Sequence, residues 1–179
     1  MEERERLCSA IKKIGWGYFF LYFDINLGTM SILPSWVAYV LFQSGITNGI
    51  SEEEESAKLL QPIGIILGIY QGIMWLCKMF MIPTDILIIN ETASILSLYF
   101  HFQLLTNLAS IARKYECPQE KPLLNLRTIQ TILLTVLAFT THFEQLYEIS
   151  MVIVIVQIII LICLCVELRR FKHELEMLS

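Results

Sequence analysis

Asn90, Ser94, Ser97 and His101 follow one another in steps of four, three and four residues. That spacing aligns side chains along one face of an α-helix, and Glu91 stands one position around from the stripe. An amide, two hydroxyls, an imidazole and a carboxylate in line are groups that bind a polar or cationic solute or pass a proton along. Glu91 and His101 are ten residues apart, about 15 Å along a helix axis, so they do not share one proton directly. Either they bracket a ligand cavity, with Ser94 and Ser97 as a polar relay, or Glu91 reaches a membrane interface and His101 packs as a neutral, hydrogen-bonded residue. Asp24 follows six aromatics in the eight positions Trp16 to Phe23 and is expected to face the same cavity. Gln71 stands in the third apolar run beside a glycine stripe. The expected ligand-binding set is therefore Asp24, Asn90, Glu91 and Gln71 in an outer-half polar cavity, with His101 deeper.

Other chemistries lack their signatures. There is no G-x-S-x-G elbow, no H-E-x-x-H pair and no phosphate-cradling glycine loop. His142-Phe143-Glu144, followed by Glu148, forms one arm of a metal site only if Asp24 or Asp85 completes it; the plainer expectation is no metal and no cofactor. The five cysteines (Cys8, Cys77, Cys117, Cys163 and Cys165) are scattered and odd in number, which favours free buried thiols over disulfides or zinc. The run Ser51 to Glu55 reads as a helix start, a serine cap with carboxylates over the positive end of the dipole. No basic stripe suited to nucleic acid appears.

These residues are held by a very apolar chain. Of 179 residues, 55% are hydrophobic and only 17% charged, with a mean hydropathy of +0.60. Soluble domains carry about 25% charged residues, so soluble, disordered and disulfide-framework classes are excluded. The expectation is an all-α integral membrane protein, one transmembrane domain over residues 1–179. A span needs about 20 apolar residues, and the chain offers six, at roughly 11–27, 33–50, 58–80, 86–110, 124–141 and 149–168. The first is the shortest apolar run and is alternatively re-entrant. Pro34 fits the first turn of the second. Gly64, Gly68 and Gly72 in the third repeat at four-residue spacing, a smooth stripe for close helix packing within the bundle or between subunits.

Charge sets the orientation. With the N-terminus inside, 12 of the 13 lysines and arginines fall on the inner side, leaving Lys78 outside. This pattern predicts a plasma-membrane protein with both termini cytoplasmic. The outer side keeps Asp24, Asp85, Glu91, Glu144 and Glu148, a negative surface that attracts cations or simply solvates short loops.

The stretch DINLGTMSILPSWVAY, residues 24–39, resembles a recurring segment of small polytopic bacterial membrane proteins, an Asp/Asn turn followed by Ile-Leu-Pro and an aromatic. It covers under a tenth of the chain and implies no activity. In size and span number the chain is also similar to the substrate-binding subunits of energy-coupling-factor vitamin transporters, a likeness of architecture alone. Three functional classes follow: a bundle that binds or moves a small polar or cationic solute, a non-catalytic accessory or assembly subunit acting through a membrane partner or a second copy, and an intramembrane enzyme.

Overall fold

Each of the six apolar runs contributes a helix. The computed structural model describes residues 2–22, 26–27, 30–31, 34–82, 84, 87–140 and 147–177. Within it the order is α1 (Glu2–Tyr22), β1 (Asn26–Leu27), β2 (Met30–Ser31), α2 (Ser35–Gly45), α3 (Leu60–Met79), α4 (Leu87–Lys114), α5 (Glu120–Thr140) and α6 (Tyr147–Met177). A π-turn over Ile46–Ile50 and a helical turn over Ser51–Glu53 prolong α2, and a 3-10 stretch over Glu55–Leu59 leads into α3. The strands make only a two-residue antiparallel ladder, Asn26 opposite Ser31 and Leu27 opposite Met30. The fold is therefore all-α.

All six expected segments overlap a helix, and the differences lie at their ends. α1 begins at Glu2, well ahead of residue 11, because its charged first turns find partners at the end of the bundle: Arg6 pairs with Glu52 at 3.6 Å and Arg4 lies over the Tyr115 ring. Pro34 stands just before α2, in extended conformation, and not within its first turn.

Each helix packs on the next, and α6 closes back onto α1 to complete a ring. The closing pair is antiparallel, since the Cys8 thiol reaches the Lys172 carbonyl and the Cys165 thiol the Gly15 carbonyl. The tightest crossing is α1 on α2. A Cβ on Gly49 would fall 2.6 Å from the Ala10 Cβ, and one on Gly45 would fall 2.9 Å from the Ala10 carbonyl oxygen. Only residues without side chains let the two backbones approach this closely. Tyr18, Tyr39, Phe42 and Phe100 fill the centre and are almost wholly buried.

Among the described residues, three helices are long and apolar enough to cross a membrane: Glu55–Met79, Ile88–Lys114 and Met151–Met177, with mean hydropathies of 1.5, 1.3 and 3.1. Their outward faces are aliphatic, with Ile66, Ile69 and Ile73 on α3 and Val152, Ile155 and Ile159 on α6 all more than half exposed. A surface of this kind belongs against lipid or another apolar partner.

The Ser51–Glu55 run is not a helix start. Ser51 bonds back to the Thr47 carbonyl, Ser51–Glu53 ends the second helix, and Glu54 breaks it at φ −135° and ψ 109°. Glu53 and Glu54 face inward to tie α2 to α4: Glu53 accepts from Lys114 and from the Tyr115 hydroxyl, each at 2.7 Å, and Glu54 accepts from Ser110 at 3.1 Å. α4 stops just beyond in a Schellman turn, in which Glu116 takes φ +54° and Cys117 N–H reaches the Ala112 carbonyl.

Candidate functional site

A polar centre sits inside the aromatic core. His101 on α4 is 3% exposed, and the rings of Tyr18, Tyr39, Phe42 and Phe100 surround it at centroid distances of 5.4 to 6.4 Å. Its Nδ1 lies 3.4 Å from the Tyr18 hydroxyl, while its Nε2 has no hydrogen-bond partner among the described residues. Tyr22, one turn further along α1, accepts from Gln130 Nε2 of α5 at 3.1 Å, leaving Gln130 Oε1 without a partner among them. His101, Gln130 and Arg127 line one narrow void that leaves no room for a water molecule. Arg127 stacks on Phe102 at 4.5 Å, donates to Thr106 and keeps a buried Nε with no described acceptor.

A further buried amide stands on α6, which runs antiparallel to α1 beside it. The Gln157 side chain is buried, and its Nε2 likewise has no described partner. A buried polar atom left unsatisfied costs about 1–3 kcal/mol. The bundle interior thus keeps a carbonyl acceptor, an imidazole nitrogen and amide and guanidinium donors without partners among the described residues.

The expected stripe on α4 is shared among several helices. Asn90 accepts from the Tyr70 hydroxyl of α3 at 2.9 Å, Ser97 bonds the Tyr39 hydroxyl of α2 at 3.2 Å, and His101 turns to α1. Among the described residues Ser94 bonds to the Asn90 carbonyl alone. Glu91 and Gln71 are half-buried. Asp24, Asp85, His142 and Glu144 lie outside the described residues, as does the side chain of Glu148. Among the described residues no three His, Cys, Asp or Glu side chains gather as a metal site, and the five cysteines are free thiols.

The glycine stripe faces α2. A Cβ would fall 3.0 Å from Gln43 Oε1 at Gly64, 3.3 Å from Tyr39 Cβ at Gly68 and 4.0 Å from Trp36 Cβ at Gly72. Packing thus loosens along the seam, which opens outward as a groove of about 610 Å³.

At the end of the ring that carries Arg6 and Lys172, burial, reinforced by the Glu53 carboxylate, pushes the Tyr115 hydroxyl up to about 12. Burial also raises the Cys117 thiol, with Glu174 adding to the shift.

Sequence reasoning missed Tyr18, Tyr22, Arg127, Gln130 and Gln157. In the sequence the tyrosines belong to an aromatic cluster and Arg127 to the bases that set orientation. Two glutamines standing alone in apolar runs were the available signal, since an amide kept in such a run needs a partner. Comparison of the chain with protein-family models, curated proteins and solved structures finds no match.

Proposed function

We propose that this protein is a plasma-membrane bundle of six spans, with both termini cytoplasmic, that binds or moves a small polar or cationic solute. The observation that carries the reading is the set of unsatisfied polar atoms of His101, Gln130 and Gln157 at the centre of a bundle with an aliphatic outside. Polar groups kept inside a span are expensive and mark solute or proton paths. The guest enters from the outer half, where Asn90 and Glu91 sit with Tyr70, and displaces the packing that now seals the centre. Orientation is supported by the clustering of Arg6, Arg113, Lys114, Arg169 and Lys172 at one end of the ring, as the positive-inside pattern requires.

The test is thermal unfolding of the purified protein in detergent with ammonium, guanidinium or choline chloride, against sodium chloride at equal ionic strength. A bound cation at a hundred times its Kd adds about 2.7 kcal/mol, and His101→Phe is expected to abolish that gain. The exchange removes the unpaired Nε2 but also takes the described partner from the buried Tyr18 hydroxyl; these effects oppose each other, each worth about 1–3 kcal/mol, so the shift is read against the variant's own unfolding in sodium chloride. No shift with any of the cations refutes the cationic solute, and a shift that survives His101→Phe refutes the central site. Topology is tested separately in a cysteine-free background: Met81→Cys is labelled by an impermeant maleimide on intact cells, and Glu116→Cys only after permeabilisation.

One observation favours the second reading, an accessory or assembly subunit. The α2–α3 groove is lined by the glycine stripe and by Gln43, whose Oε1 is a buried acceptor with no described donor. A partner helix with small residues and one donor would fill it.

A further inference from the structure

A second groove runs between α1 and α6 on the outside of the ring, with a volume of about 540 Å³. Lys12, Arg169 and Lys172 line one end of it, and Gly15, Trp16 and Phe19 line the rest. The antiparallel register that sets Cys8 beside Lys172 and Gly15 beside Cys165 puts Lys12 level with Leu168, next to Arg169. The cations of two helices therefore meet at one depth. Phe19 is seven residues beyond Lys12, about 10 Å deeper into the bundle.

No carboxylate lines the groove among the described residues. Lys172 is held by Glu176 at 2.8 Å, whereas Lys12 and Arg169 make no ion pair with any described residue. The slot itself exists because residue 15 has no side chain: a Cβ there would meet nothing within 4 Å. Trp16, half exposed, forms one wall.

We infer that this groove is a binding site for one anionic phospholipid, its phosphate held between Lys12 and Arg169 and an acyl chain lying in the slot over Gly15 against Trp16 and Phe19. A soluble anion would use the cations and leave the apolar slot empty. A neutral lipid would fill the slot and leave the cations uncompensated. Only an amphiphile with negative charge at the cation level and hydrocarbon one to two turns deeper satisfies both ends. Basic pockets between helices at the inner interface are suited to such headgroups. The inference rests on the membrane reading but not on the central solute site.

Trp16 reports on the groove directly. In a Trp36→Phe, Trp75→Phe background it is the sole tryptophan of the chain. The protein is reconstituted into phosphatidylcholine vesicles with 20 mol% phosphatidylglycerol, with bromine on the acyl chains of one lipid or the other, so that surface charge stays constant. Brominated phosphatidylglycerol is expected to quench Trp16 several-fold more per mole than brominated phosphatidylcholine. Each cation near the membrane surface contributes about a fivefold preference, so Lys12→Gln with Arg169→Gln brings the ratio close to one. Gly15→Leu lowers quenching by both lipids while keeping both cations and the native helix content.

Equal quenching by the two lipids in the parent protein overturns the inference. So does reversal of the preference by millimolar inorganic phosphate, which would assign the cations to a free anion. Loss of the preference on dilution of protein in lipid would assign the groove to a second copy and overturn it too. Failure of the protein to float with vesicles would overturn the membrane reading itself.

Discussion

Replacing single glycines by alanine gives a graded test of where the helices meet. Alanine in a helix is favoured over glycine by roughly 0.5–1 kcal/mol, and that gain is similar at every site. What differs is the space for the new methyl group. At Gly15 it meets nothing within 4 Å, and at Gly72 it makes one contact at 4.0 Å, so both variants are expected to gain stability. At Gly64 it falls 3.0 Å from Gln43 Oε1 and 3.2 Å from the Phe100 ring, atoms able to yield. At Gly49 it falls 2.6 Å from the Ala10 Cβ, 3.2 Å from the Arg6 carbonyl and 3.4 Å from the Leu7 Cα. Carbon atoms rest about 3.5–4.0 Å apart, and the obstacle here is mostly backbone. α1 and α2 must therefore part by roughly 1 Å at their closest crossing, and overpacking of this kind costs about 1–3 kcal/mol. Because the propensity gain cancels between variants, Gly49→Ala is expected to be less stable than Gly15→Ala by about that amount, with Gly64→Ala between. Thermal unfolding in detergent, followed by circular dichroism, measures the order. If Gly49→Ala proves as stable as Gly15→Ala, the close α1–α2 approach is wrong.

Glu116 holds a left-handed conformation that costs a residue with a side chain about 1–2 kcal/mol; Glu116→Gly is expected to raise the melting temperature, since the Glu116 side chain makes no described hydrogen bond that would be lost. Glu53 has a side chain 2% exposed and accepts from Lys114 and Tyr115, so Glu53→Gln is expected to cost about 1.5–3 kcal/mol, as for hydrogen bonds to a charged group. Lys114→Gln removes a side chain 57% exposed and should cost less than about 1 kcal/mol. The Tyr115 hydroxyl is raised in the folded state to about 12, so its contribution is fully present below the unfolded value near 10 and is lost as pH rises through about 12. Stability measured between pH 9 and pH 12 should therefore fall over that window, and less steeply in Tyr115→Phe.

The helices were legible because apolar runs of span length have few other ways to satisfy their backbones in lipid. The stripe at Gly64, Gly68 and Gly72 was legible as periodicity. The closer contact was not: Gly45 and Gly49 enclose Ile46, Thr47 and Asn48, and nothing in that polar interval says which neighbour the glycines meet. The stripe on α4 was visible as a face, but whether one face meets one cavity or three neighbouring helices depends on tertiary packing. Composition also hides which glutamate of a run is turned inward. Glu53 differs from Glu55 by environment alone, the first reaching Lys114 and Tyr115 and the second pairing only with nearby Lys58.

The π-turn at Ile46–Ile50 sets two parts of one helix at independent angles. An α-helix advances about 100° per residue, and a π-turn accommodates one residue more than an α-turn. The chain after Ile50 is thereby rotated back by about that angle relative to an uninterrupted helix. Ahead of the turn, Tyr39 and Phe42 point to the ring centre; behind it, Glu53 and Glu54 are aimed at α4. Deleting one residue between 46 and 50 would leave the length, charge and hydropathy of the helix almost unaltered. It would also swing Glu53 more than a quarter turn away from Lys114 and Tyr115. In this helix a single extra residue acts as an angular offset, and no amino-acid substitution downstream of it can supply the same correction.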